Sequence, residues 1–180
     1  MEYVYQLRLP SLENVLKNNI IEKVDNSKAH ILTIEPLNFF NDNILSLKGL
    51  TWDSGVAFKK PGLYTGPIHT DGSQREFIWG INWIHGADGG MCYWEGDYQQ
   101  DITYDIAGRP RLDPIGKLGL NPPSKNYKTL SGNAYLVNAS VPHNAYNLSL
   151  THSRYAISIR ATNSQLNWQQ VVDLFSDLII

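Results

Sequence analysis

The chain has 180 residues, the length of one ordinary domain. With 42% hydrophobic and only 18% charged residues, against about 25% charged in typical soluble domains, a disordered chain is excluded and a sizeable core is allowed. Fifteen Lys and Arg face 17 Asp and Glu, a net charge of −2 with no basic run, so no nucleic-acid partner is expected. A single cysteine, Cys92, excludes an internal disulfide and a thiolate zinc cluster. The opening residues, MEYVYQLRLP, carry no charged-then-apolar export pattern, and no stretch approaches about 18 apolar residues. No membrane association and a cytoplasmic location are therefore expected.

Taken in chain order, Ser11–Lys17 is compatible with a short helix. Strands are expected at Ala29–Ile34, Gly55–Lys59, Glu76–Ile84, Gly90–Trp94, Asp101–Ile106, Asn133–Ala139 and Ser153–Thr162. Turn signals separate them at Lys60-Pro61-Gly62, at His85–Gly90 and at Asn121-Pro122-Pro123. Residues 108 to 128, rich in Gly, Pro and Lys, read as one long loop bordering the site. A last helix is expected over Ser164–Leu178, with Trp168, Val171, Val172 and Phe175 on one face and Ser164 as its cap. Five Trp, ten Tyr and five Phe suit strands, and no helical period intervenes between the central ones. The expected architecture is a mainly β sandwich or jelly roll. Residues 1–180 form a single domain, with 1–50 as an N-terminal extension on the core, 51–162 as the β core and 163–180 as the C-terminal helix.

The chemistry-bearing residues sit within that core. In an extended His69-Thr70-Asp71, the imidazole and the carboxylate project from the same face and can reach one metal ion. His143 completes a set of two imidazoles and one carboxylate if the sheet folds back, and such a facial set suits ferrous iron with open positions for a co-substrate and O2. The plain alternative is a turn in which Asp71 caps its own backbone before Gly72. Further on, Ser153–Arg160 alternates: Tyr155, Ile157 and Ile159 share one face, and Arg154, Ala156, Ser158 and Arg160 the other. An arginine aimed inward demands an anion.

With His69-Thr70-Asp71, the distal His143, Ile81-Asn82-Trp83, the Gly89-Gly90-Met91-Cys92-Tyr93-Trp94 strand and Arg154, residues 55 to 162 resemble the iron(II)- and 2-oxoglutarate-dependent oxygenases, specifically their phytanoyl-CoA dioxygenase-like branch. The resemblance implies a double-stranded β-helix, cupin-like in form, and a dioxygenase acting as hydroxylase of a small molecule or a peptide side chain. It implies Fe(II) held by His69, Asp71 and His143, with 2-oxoglutarate and O2 as co-substrates. Arg154, eleven residues beyond His143 and on the strand end nearer the metal, would hold the far carboxylate of 2-oxoglutarate; Arg160 lies seventeen beyond. Where the family commonly has Ser or Thr two residues after the arginine, this chain has Ala156, so Ser158 becomes the candidate hydroxyl, with Tyr64 and Asn82 as further hydrogen-bond partners of the co-substrate. The first 50 residues carry no recognised motif. Two other readings stand beside this one. A metal-dependent cupin, an isomerase or dioxygenase without 2-oxoglutarate, would use His69, Asp71, Glu76, His143 and Asn147. A non-enzymatic binding sandwich would present Trp52, Trp79, Trp83 and Trp94 as a platform.

Overall fold

The computed structural model describes residues 1–10, 29–31, 48–50, 54–71, 78–96, 99–104, 110–115, 121–160 and 165–180. Thirteen strands and one helix lie within them: β1 (Val4–Leu7), β2 (Ala29–Ile31), β3 (Ser54–Lys60), β4 (Tyr64–Thr65), β5 (Thr70–Asp71), β6 (Trp79–Gly86), β7 (Gly89–Tyr93), β8 (Gln99–Tyr104), β9 (Pro110–Ile115), β10 (Lys125–Thr129), β11 (Ala134–Asn138), β12 (His143–Asn147), β13 (Arg154–Arg160) and α1 (Trp168–Leu174). They form a six-stranded sheet in the order β1-β11-β6-β13-β3-β2, a four-stranded sheet β10-β7-β12-β4 and a three-stranded sheet β5-β9-β8. Every pairing is antiparallel. This is the mainly β, cupin-like jelly roll expected from the sequence.

The period-2 patterns of β6 and β13 decide which side chains face where. Trp79, Ile81 and Trp83 from β6 join Ile157 and Ile159 from β13 on the outer face of the large sheet, and α1 covers them with Trp168 and Val171. Phe175, at the end of α1, packs edge-on to Trp79 with ring centroids 5.7 Å apart. Each such fully buried side chain contributes about 1.5–3 kcal/mol. On the inner face, Ile84, Met91, Tyr93, Tyr135, Val137 and Ala156 fill one part of the space between the two larger sheets, closed by Val4 of β1 and the preceding Tyr3. The remaining part is a cavity, lined by the polar members of β13.

Several expectations shift. The stretch 108–128 is not one loop: it contains β9 and β10, which pair with β8 and β7, and the Gly, Pro and Lys content that suggested a loop did not preclude this backbone pairing. His85 lies in β6, paired with Tyr155, and the turn itself is confined to the residues between Gly86 and Gly89, with Gly86 at φ 84°. Helix α1 starts at Trp168 under Asn167, whose side chain accepts from the Gln170 amide while the Gln170 side chain accepts from the Asn167 backbone. The expected cap Ser164, the expected helix Ser11–Lys17, Trp52 and Glu76 lie outside the described residues. No helix among the described residues is long and apolar enough to cross a membrane.

Candidate metal centre

His69 and His143 face each other as an antiparallel bridge, each backbone N–H donating to the other's carbonyl at 2.9 and 2.8 Å. That bridge fastens the segment before β5 to the start of β12, and the two imidazoles then meet with ring centroids 4.6 Å apart. Asp71, two residues on, emerges on the same side: its Oδ1 is 3.7 Å from His69 Nε2. One ligand atom from each of His69, Asp71 and His143 lies within 4.8 Å of the others. Both imidazoles are oriented from behind. The Nδ1 of His69 lies 3.0 Å from the Pro67 carbonyl and that of His143 lies 2.8 Å from the Val141 carbonyl, so each Nδ1–H donates backward and Nε2 is the nitrogen of each ring that could hold a metal. Tyr93 stacks on the His143 ring at 5.5 Å and Tyr3 stacks in turn on Tyr93 at 5.0 Å.

The two oxygens of Asp71 differ. Oδ2 accepts a short charge-assisted hydrogen bond from Arg160 Nη2, while Oδ1 is turned toward His69. Burial opposes ionisation of Asp71, but the Arg160 guanidinium, with His69 and His143 alongside, holds its carboxyl well below the usual carboxylate range. The carboxylate is thus committed to Arg160 through one oxygen and turned toward the imidazoles with the other, while the turn at Gly72 of the plainer sequence reading lies outside the described residues.

The same cavity, about 180 Å³, is bounded by His69, Asp71, His143, Tyr64, Asn82, Arg154 and Ser158, so all seven sequence-selected residues meet at one place. Asn82 and Ser158 are register partners across β6 and β13, and the Oδ1 of Asn82 has no partner among the described residues. Arg154 is only 1% exposed. Its Nη2 donates to Thr129 Oγ1 at 3.0 Å, but its Nε and Nη1 are buried without a partner among the described residues. Burial pulls this guanidinium down to about 10.

Arg154 does not lie at the metal end of its strand, as the sequence count suggested. Its side chain runs over Gly89, where β7 pairs with Asn147, whereas His143 pairs with Tyr93 four residues and about 13 Å along the same strand. Arg160, not Arg154, reaches Asp71. The Gly-Gly pair has a steric reason. A Cβ on Gly89 would collide with the Tyr146 carbonyl oxygen and stand 2.7 Å from Arg154 Cδ, and one on Gly90 would collide with the Tyr146 ring.

Two contributors were not singled out from sequence, and a third was singled out for another role. Lys60 lines the cavity, with its ammonium 3.5 Å from the Tyr64 hydroxyl and over the Tyr64 ring. Thr129 anchors Arg154 from β10, within the supposed loop. Asn147, considered as a cupin motif residue, instead offers its amide to the Lys60, Pro61 and His152 carbonyls at 2.9–3.1 Å, and so braces the corner that presents Lys60 and Tyr64. The tryptophan platform is absent among the described residues: Trp79, Trp83 and Trp94 are all buried.

No protein family model matches the sequence, and no curated protein matches it. Solved structures do resemble the fold. Oxalate oxidase matches at 12% identity over 76% of this chain and 52% of its own, with a TM-score of 0.40. A predicted oxalate decarboxylase from Thermotoga maritima matches at 11% identity over 74% of this chain and 80% of its own, with a TM-score of 0.38. EvdMO1 matches at 12% identity over 73% of this chain and 33% of its own, with a TM-score of 0.48. The chain spans about half the length of oxalate oxidase, and about half that of a latex cysteine peptidase from Thevetia peruviana that also matches. The likeness is one of fold.

Proposed function

We propose that this chain is a non-haem Fe(II)- and 2-oxoglutarate-dependent oxygenase, hydroxylating a small molecule or a protein side chain. The observation that carries the reading is Arg154: a buried cation whose Nε and Nη1 have no partner among the described residues, on a cavity whose other end holds two imidazoles and a carboxylate. A buried guanidinium left in this state is costly unless an anion completes it. A dicarboxylate that spans the cavity meets both needs, one end among the metal ligands and the other on Arg154.

The residues present fit a ferrous ion. Two nitrogen donors and one oxygen donor on one side are the set that suits non-haem iron, and backward hydrogen bonds pre-set both imidazoles as Nε2 ligands. His69, Asp71 and His143 would hold Fe(II), which supplies the means of activating O2 at the expense of 2-oxoglutarate. The chain's own work is binding and orientation. Arg154 grips the far carboxylate through paired hydrogen bonds, with Thr129 fixing the guanidinium plane. Lys60 and Tyr64 border the same carboxylate, while Ser158 and Asn82 flank the middle of the cavity. Met91, Ala145, Ala156 and Phe58 form apolar walls that exclude water from the reacting atoms. The substrate approaches from the mouth, since a cavity of about 180 Å³ leaves little room beyond the co-substrate.

The volume also favours a second reading. A single small carboxylate, turned over directly, could occupy the span from metal to Arg154, as in a metal-dependent cupin that does not use 2-oxoglutarate. Incubating Fe(II)-loaded protein with 2-oxoglutarate and O2 and assaying succinate separates the two. Succinate formation that needs both metal and O2 supports the oxygenase. Its absence, with no 2-oxoglutarate bound, moves the assignment to the cupin.

A further inference from the structure

We propose that Arg160 is the positioning residue that makes Asp71 a one-oxygen ligand and thereby keeps a coordination position open. The inference rests on the metal site of the proposed function and adds a determinant of how that site is held. A carboxylate with both oxygens free can chelate a metal and fill a further position. In this chain one oxygen is already committed: Oδ2 accepts from Arg160 Nη2, and only Oδ1 faces the imidazoles.

The arrangement is built by the sheet. Arg160 ends β13 directly opposite Gly80 of β6, where a Cβ would stand 2.7 Å from the Ile159 carbonyl oxygen and 3.2 Å from Arg160 Cγ, so the missing side chain there lets the strands approach and leaves the arginine stem its path. Arg160 and Asp71 are both mostly buried, with side chains 12% and 9% exposed, so water competes weakly for the pair. The remaining Nε of Arg160 has no partner among the described residues, and so the guanidinium's observed hydrogen bond is spent on Asp71. Arg154, by contrast, lies about 20 Å away along the strand and cannot substitute. Two arginines on one strand face thus divide the labour: one completes an anion at the far end, the other shapes a metal ligand at the near end.

The test uses Co(II) as a spectroscopic probe and azide as an external ligand that needs an open position. In the unaltered protein, azide shifts the visible Co(II) spectrum. In Arg160→Met, which keeps the unbranched stem, Co(II) stays bound while azide binding weakens by about 10- to 100-fold, the size expected for losing a group that orients a metal ligand. Arg160→Lys, which retains a donor for Oδ2, recovers most of the response. A general structural defect would instead weaken Co(II) and azide binding together and would not be rescued by lysine. Should Arg160→Met fail to fold, Arg160→Leu, which also lacks a donor for Oδ2, carries the test with the same expected loss. Undiminished azide binding in a folded, Co(II)-loaded Arg160→Met or Arg160→Leu overturns the inference. Absence of Co(II) binding in the unaltered protein overturns the metal site itself, and the inference with it.

Discussion

Replacing Arg154 with methionine should make the ligand-free protein more stable while destroying its affinity for 2-oxoglutarate. Burial lowers the guanidinium from its ordinary value to about 10. A drop of that size corresponds to about 3 kcal/mol of disfavoured charge. The sign follows from the protonated form being the charged one. Below the folded value, arginine is protonated in both folded and unfolded states and the full cost is present; it is relieved only as pH rises through about 10. At neutral pH, methionine removes this cost and fills the volume. Against it stands the lost bond to Thr129, worth about 1 kcal/mol. The net gain is about 2 kcal/mol, or about 4–8 °C in melting temperature for a chain of this size. Losing one partner of a desolvated charge pair costs about 2–5 kcal/mol in binding, a fall of about 30- to several-thousand-fold. Thermal melts of the metal-loaded protein under argon, with and without 2-oxoglutarate, read both effects. The reasoning is refuted if Arg154→Met lowers the ligand-free melting temperature while 2-oxoglutarate stabilises both proteins equally.

Acidification should release metal with the uptake of two protons rather than three, because Asp71 is held ionised well below the usual range and only the imidazoles compete; a plot of log affinity against pH with a limiting slope near three would contradict this. Gly89→Ala, whose Cβ would collide with the Tyr146 backbone carbonyl and stand 2.7 Å from Arg154 Cδ, should cost about 1–3 kcal/mol in urea unfolding and weaken 2-oxoglutarate binding, whereas unchanged values of both would show that the β7–β12 pairing yields freely. The Tyr93 hydroxyl is buried without a partner among the described residues, so Tyr93→Phe should leave stability unchanged or raise it by about 1 kcal/mol. Tyr93→Leu removes the ring stacked on His143 and should weaken metal binding as well as stability; a calorimetric metal titration equal to the parent's would show that the stack does not orient the imidazole.

Much of the site was legible because strands expose their logic at period 2. The alternation of β13 announced which residues face the cavity, and it did so correctly for Arg154, Ala156, Ser158 and Arg160. The His-x-Asp spacing worked for the same reason, two residues apart on one face. Features fixed by partners distant in sequence were not legible. Nothing in Lys-Asn-Tyr-Lys-Thr signals that Thr129 will meet an arginine 25 residues away, since β10 is an edge strand without an apolar stripe. Which arginine stands near the metal depended on the register of β13 against β6, and counting from His143 placed it at the wrong end. Strand β1 escaped notice because Val-Tyr-Gln-Leu is short; its place beside β11 comes from tertiary pairing. The cap of α1 moved from Ser164 to Asn167 because a reciprocal partner, Gln170, lies three residues beyond it.

The central claim is that one dicarboxylate bridges the metal ligands and Arg154. Anaerobic calorimetric titration of 2-oxoglutarate into the Fe(II)-loaded protein, the metal-free protein and Arg154→Met tests it most directly. The account predicts one molecule bound per chain in the first and binding weakened by at least about 30-fold in the other two. Equal binding in all three, or none in the first, would contradict it.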